Sequence, residues 1–223
     1  MKPSITLAAT TTPSGSNLEC ISHDKDIYLY LDRQPICSTR ACEPELALAR
    51  AGGARISIYR TPSILLAGLG LGQCLHEMLT LAPDKAMIHL SEPLKVLIEW
   101  HRDLLGDDYR MALQDHRLTV HTTSITSTIK QTDRKFDIIL ISTDPALTTA
   151  SVNALRACVA NLNPKGMICI KSLRENAARI RSTLEGSRLH TSITSVGARP
   201  EARTRTHAII CAARKSEFLP HQD

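Results

Sequence analysis

Gly68, Gly70 and Gly72 lie between an apolar run, Ser63 to Ala67, and a stretch in which Leu75, Met78, Leu79 and Ala82 recur at helical spacing. A glycine triplet joining a buried strand to a helix lets the backbone approach a ligand closely where a Cβ would clash. A dinucleotide fingerprint needs Gly-x-Gly-x-x-Gly, and here the third glycine would fall on Gln73. The spacing present is Gly-x-Gly-x-Gly, the form met in S-adenosylmethionine sites, which disfavours a nicotinamide cofactor. Glu92 follows the next apolar run, about 20 residues beyond the loop, where an acidic side chain accepts hydrogen bonds from both hydroxyls of a ribose. That recognition is common to nucleotides and S-adenosylmethionine, so Glu92 points to a nucleoside without choosing between them. Alone, such a loop can be mere tight packing and such a glutamate merely solvated. Their order along the chain favours a ligand held between Gly68 and Glu92.

The flanking elements are those such a site needs. Ser63 to Ala67 reads as a buried parallel strand, Ala86 to Leu90 as a second, and Leu94, Leu97, Ile98, His101 and Leu105 as the apolar face of a helix. Leu118 to His121, Phe136 to Ile141 and Met167 to Lys171 supply further strands. Ala150 to Leu162 reads as a helix stopped by Asn163-Pro164-Lys165-Gly166. The repeated strand–helix units predict an α/β, Rossmann-like sheet covered on both faces. Leu189 to Val196 and Thr206 to Ala212 lack a helix between them, so the sheet ends in an antiparallel hairpin, as in methyltransferase folds. Ahead of it, Leu18 to Ser22 and Ile27 to Leu31 flank an Asp24-Lys25 turn as a β-hairpin, and Glu43 to Ala51 forms a helix ending on Gly52-Gly53. The expected organisation is a flexible leader over 1–16, an N-terminal hairpin and helix over 17–60, an S-adenosylmethionine-binding catalytic domain over 61–214 and a tail over 215–223.

Bulk composition narrows the function classes. At 223 residues, 43% of them hydrophobic, the chain can bury a core of its own. An aromatic content of 3% argues against base stacking on aromatic platforms, and a net charge of +5 is too mild to indicate nucleic acid despite a cluster at Arg199, Arg203 and Arg205. The seven cysteines form no Cys-x-x-Cys pair, so no metal site or redox couple is suggested, and they suit a reducing, cytoplasmic setting. Neither a secretory leader nor a membrane span is expected.

With these residues in place, the chain resembles the spermidine-synthase-like branch, the polyamine aminopropyltransferases, of the class I S-adenosylmethionine-dependent methyltransferases. The resemblance runs from Asp26 to Arg214. Tyr30-Leu31-Asp32 with Cys37-Ser38-Thr39-Arg40 looks like the hairpin ahead of the catalytic domain. Phe136 to Pro145 is similar to the fourth-strand motif, Asn163 to Gly166 to the Pro-Gly turn and Thr206 to Ile210 to the last strand. The resemblance implies that Gly68, Leu69, Gly70, Gly72, Glu92, Ser124 and Gln34 contact S-adenosylmethionine or its decarboxylated form, and that the protein is a homodimer. It also exposes departures. The family's first aspartate in Asp-Ser-x-Asp-Pro is Ile141 here, with only Asp144 kept. The Tyr-His-Glu segment that contacts the polyamine aligns with Glu45-Leu46-Ala47-Leu48. Ser124 stands where an acid reads the adenine amino group, and Gln34 lies near the place of the cofactor-touching glutamine. A polycation needs several carboxylates to offset its desolvation, so loss of these acids argues against spermidine synthesis.

A sulfonium is already an activated leaving group, so the protein mainly aligns a nucleophile and excludes water. Asp144 and Thr143 are the polar groups expected to face the transferred carbon, although Asp144 could instead cap the turn before the next helix. The main expectation is a transferase moving a methyl or aminoalkyl group to a small-molecule acceptor. The alternatives are an intramolecular cyclisation that releases methylthioadenosine, a polyamine aminopropyltransferase, and a non-catalytic nucleoside-binding or interaction protein. His76, His101 and His121 are candidate bases near neutral pH, each more simply read as structural.

Overall fold

The computed structural model describes residues 3–142 and 152–220. The chain opens with β1 (Ser4–Thr11), β2 (Asn17–His23), β3 (Asp26–Leu31) and β4 (Gln34–Ser38), an antiparallel sheet in sequence order. The expected hairpin is β2 and β3, turning at Asp24 with φ of 57°. Asp32 and Arg33, with φ of 48° and 67°, make the next turn, the left-handed pair that matches the twist of a two-residue hairpin. Residues 4–11, expected within a loose leader, instead pair along β2 from Ser4↔His23 to Thr11↔Asn17. β1 is mostly exposed and so carries no apolar alternation, but its threonines favour the extended backbone and the ladder satisfies it.

α1 (Glu43–Gly53) follows, with Pro44 in its first turn and Glu43 and Glu45 near its positive end. It ends on the expected glycine pair, with both glycines in its last turn. A Cβ on Gly52 would lie 2.5 Å from the Leu140 side chain, so this glycine serves close approach of the helix to the sheet.

The remaining elements are β5 (Ser63–Ala67), α2 (Gln73–Leu81), β6 (Met87–Ser91), α3 (Lys95–Asp103), α4 (Asp107–Ala112), β7 (Leu118–His121), α5 (Ile125–Thr132), β8 (Phe136–Ile141), α6 (Val152–Ala160), β9 (Leu162–Leu173), α7 (Ala177–Glu185), β10 (His190–Val196) and β11 (His207–Ala213). They form a 7-stranded sheet in the order β10-β11-β9-β8-β5-β6-β7. The strands from β5 to β9 run parallel, and β11 lies antiparallel to both β9 and β10, giving the predicted terminal hairpin.

Each face of the sheet has its own core. Ile64, Leu66, Ile88, Leu90, Leu140 and Cys169 pack under α1 and α2, while Leu65, Ile139, Ile141, Ile168 and Ile210 face α6 and α7. Asn163 to Gly166, expected as a turn, is a bulge inside β9: pairing passes from Phe136↔Leu162 to Ile138↔Met167, leaving Asp137 opposite it. Asp137 holds the bulge by accepting from Asn163 Nδ2 at 2.7 Å and ties it to β5 by accepting from Ser63 N at 2.9 Å. Among the described residues, no helix is long and apolar enough to cross a membrane.

The order of strands reverses between β5 and β8. In open parallel sheets the crevice beyond the carboxyl ends at such a point is where ligands bind.

Candidate nucleoside site

The glycine triplet occupies that crevice. Gly68, Gly70 and Gly72 have φ of 90°, 54° and 80°, conformations that side chains rarely adopt. The leucines between them anchor the loop in different cores. Leu69 joins the cluster beneath α2, and Leu71 packs with Leu18, Leu29 and Trp100 under the N-terminal sheet. Gly68 N donates to Ser91 O at 2.9 Å, tying the loop to the end of β6.

The glycines do not all face the same way. A Cβ on Gly70 would meet only Cys37 Sγ at 3.8 Å, so its open side borders free space beneath β4. A Cβ on Gly72 would lie 2.9 Å from His101 Nε2 and 3.3 Å from the Tyr109 ring, so its bareness accommodates protein packing. His101 is that buried packing partner. Its Nδ1 lies 2.7 Å from Leu97 O, and since a carbonyl only accepts, Nδ1 carries the proton. Burial lowers its pKa, opposed by the Leu97 and Leu71 backbone.

Glu92 lies across the crevice, 4% exposed. Its Oε2 accepts from Leu69 N and its Oε1 from Leu94 N, each at 2.8 Å. Burial raises its pKa, and these two N–H groups pull it back down. A carboxylate offers about four lone-pair positions. Two remain for other donors once the backbone bonds are made, which is what a ribose diol requires.

The other predicted residues are placed less uniformly. Ser124 caps α5 at the carboxyl end of β7, its Oγ accepting from Ser127 N at 3.4 Å. Gln34 is exposed at the start of β4, paired with Leu31, and Cys37 is the β4 side chain beside the loop. Thr143 and Asp144 lie outside the described residues, just past Ser142, whose N–H donates to Ala67 O at 2.8 Å. His76 is exposed on α2, and His89 Nδ1 lies 3.0 Å from His121 Nε2. Among the described residues, no cluster of three metal-ligating side chains occurs.

The sequence reading missed one feature. Lys171, on β9 just past Ile170, lies with Nζ 2.5 Å from Glu45 Oε1 of α1, both side chains about nine-tenths buried. Ile170 pairs with Ile141 at the end of β8, so the ion pair flanks the crevice on the side away from β6. Glu45 falls in the segment aligned with the family's polyamine contacts, and only a lysine facing it from β9 reveals the pairing.

The fold is therefore a Rossmann-like class I methyltransferase sheet capped by a small N-terminal antiparallel sheet. Among solved structures, spermidine synthase from Thermotoga maritima is similar to 96% of this chain and 75% of its own, with a TM-score of 0.73 and 16% identity. A spermidine synthase in complex with the transition state analogue AdoDATO is similar over the same shares, with a TM-score of 0.72 and 15% identity. No protein-family model and no curated protein matches the chain. The spermidine-synthase-like fold expected from the sequence is thus the fold observed.

Proposed function

We propose that the chain is a transferase that binds S-adenosylmethionine or its decarboxylated form and passes a methyl or aminoalkyl group to a small-molecule acceptor. The observation that carries this reading is the pairing of Gly70, open on one side at φ of 54°, with a buried Glu92 hydrogen-bonded to the same loop. In this reading Gly68, Leu69 and Gly70 supply backbone at close range, Glu92 accepts from the ribose, and Ser124 offers a hydroxyl to the adenine. When bound, the cofactor supplies an electrophilic carbon next to a cationic sulfur leaving group. The protein's task is then orientation and exclusion of water. Thr143 and Asp144 are proposed to face the transferred carbon. Fold and resemblance support the cofactor class, and the neighbour solved with AdoDATO makes a nucleoside of this type the first to try.

The Glu45–Lys171 pair favours a second reading for the acceptor. It commits one of the few buried carboxylates near the crevice to an internal cation, which leaves less charge to offset a polyamine. Attack by the cofactor's own amine needs no acceptor pocket and releases methylthioadenosine. Titration calorimetry with S-adenosylmethionine, its decarboxylated form and methylthioadenosine tests the common claim, and binding of none of them refutes it. Incubation with S-adenosylmethionine alone separates the two readings, since methylthioadenosine accumulating without an acceptor belongs only to the cyclisation.

A further inference from the structure

His121, a candidate base in the sequence, is paired instead with His89. His89 of β6 and His121 of β7 bring Nδ1 and Nε2 to 3.0 Å, with ring centroids 5.3 Å apart and planes at 29°. The Phe136 ring packs edge-on against His89, 5.9 Å between centroids. We propose that this pair is a proton-sensitive clasp that positions Glu92, so that acid loosens the nucleoside site.

The contact requires one ring to donate and the other to accept. A first proton leaves the bond in place, since an imidazolium still donates to a neutral partner. A second proton sets two donors and two positive charges face to face, with no acceptor between them. The pair therefore titrates in two coupled steps and parts only at the second. Burial lowers both pKa values, and at His89 the charges of His121 and Arg134 lower it further. Arg134, which follows α5, is exposed, with Nη1 3.5 Å from Met87 Sδ. Among the described residues, no carboxylate acts on either ring.

What the clasp holds is a short edge. β7 is an edge strand and pairs with β6 from Ile88↔Leu118 to Ser91↔His121. Just beyond the last of these pairs, His121 O accepts from Glu92 N at 2.9 Å, and Ser91 Oγ donates to Thr123 O at 2.8 Å. Parting of the rings thus strains the bonds that seat Glu92 and the Ser124 cap. The clasp stands on its own geometry, and its effect on a ligand rests on the nucleoside reading.

The test uses the full chain carrying Glu92→Gln, where the carboxylate's own titration is gone, beside the same chain with His89→Phe and His121→Phe added. Imidazole ¹⁵N shifts should show two linked steps, both below the ordinary 6.5. The unfolded chain takes up these protons before the folded one. Stability in urea should therefore fall as pH drops below 6.5, and the phenylalanine variant should lack that loss. From neutral pH to about 5, deuterium exchange at the residue 92 amide should rise about tenfold relative to the phenylalanine variant, and methylthioadenosine affinity by calorimetry should fall by a similar factor. His121→Gln alone, which keeps a neutral hydrogen-bonding partner for His89, serves if the double change does not fold and should hold affinity level over the same range. Histidines that titrate independently near 6.5, or exchange and affinity that follow pH alike with and without the pair, would each overturn the proposal. Linked titration and exchange without methylthioadenosine binding at any pH would uphold the clasp and fail the nucleoside reading.

Discussion

The two flanks of the crevice are built from different materials. On the β5–β6 flank the groups that build the wall are backbone amides of a loop with three left-handed glycines, tied to the end of β6 by the carboxylate of Glu92. On the β9–α1 flank they are long side chains, with Lys171 and Glu45 closing on one another. Backbone geometry survives exchange of most surrounding side chains, provided glycine stays where φ is positive. A flank made of side chains is rewritten by a few substitutions. Agreement in fold with spermidine synthases at 15–16% identity fits a frame that is kept while most side chains change.

The largest effect expected from testing that contrast is on stability. Lys171→Met should cost about 3–5 kcal/mol in urea unfolding, because it strands the buried Glu45 carboxylate. Glu45→Leu combined with Lys171→Met should return close to the parent value. If the single variant is as stable as the parent, the pair does not hold α1 to β9.

Gly70→Val should act on the other flank. Forcing a β-branched residue to φ of 54° distorts the loop, and methylthioadenosine affinity by calorimetry should fall about a hundredfold, near 2.7 kcal/mol. Unchanged affinity would detach the loop from the ligand.

Glu92 supplies a pH signature with two opposite signs. Burial raises its pKa above the ordinary 4.5. The charged carboxylate is the form that accepts from a ribose, so nucleoside affinity should fall as pH drops through the raised value, earlier than for an ordinary carboxylate. Stability without ligand should move the other way. The folded state takes up this proton before the unfolded chain does, so the group's contribution improves as pH falls through its folded pKa. Glu92→Gln should remove both dependences and lower affinity about tenfold. Affinity that holds steady from neutral pH to 4.5 would exclude the carboxylate as an acceptor.

The smallest effect belongs to the surface. Arg50→Ala removes exposed pairs to Glu43 and Glu77 and should change stability by about 0.5 kcal/mol, a baseline for the buried pair.

What could be read from the sequence followed the same division. The parallel strands were legible because strands buried on both faces are continuous apolar runs, as Ser63–Ala67 and Phe136–Ile141 show. The terminal hairpin was legible from the missing helix between its strands. α5 escaped notice because Ile125–Thr132 is rich in β-branched residues and is started by the Ser124 cap more than by propensity. β1 escaped because an exposed strand needs no apolar pattern. The glycine loop and Glu92 could be found by spacing along the chain. The Lys171–Glu45 pair joins residues distant in sequence, and only the packing of α1 against the sheet brings them together.

One bond pattern has a kinetic consequence. Because the same carboxyl group secures the amides of Leu69 and Leu94, the turn after β5 and the turn after β6 are mechanically joined. Deuterium uptake at those two amides should therefore slow in concert when a nucleoside settles, as though a single latch had been thrown.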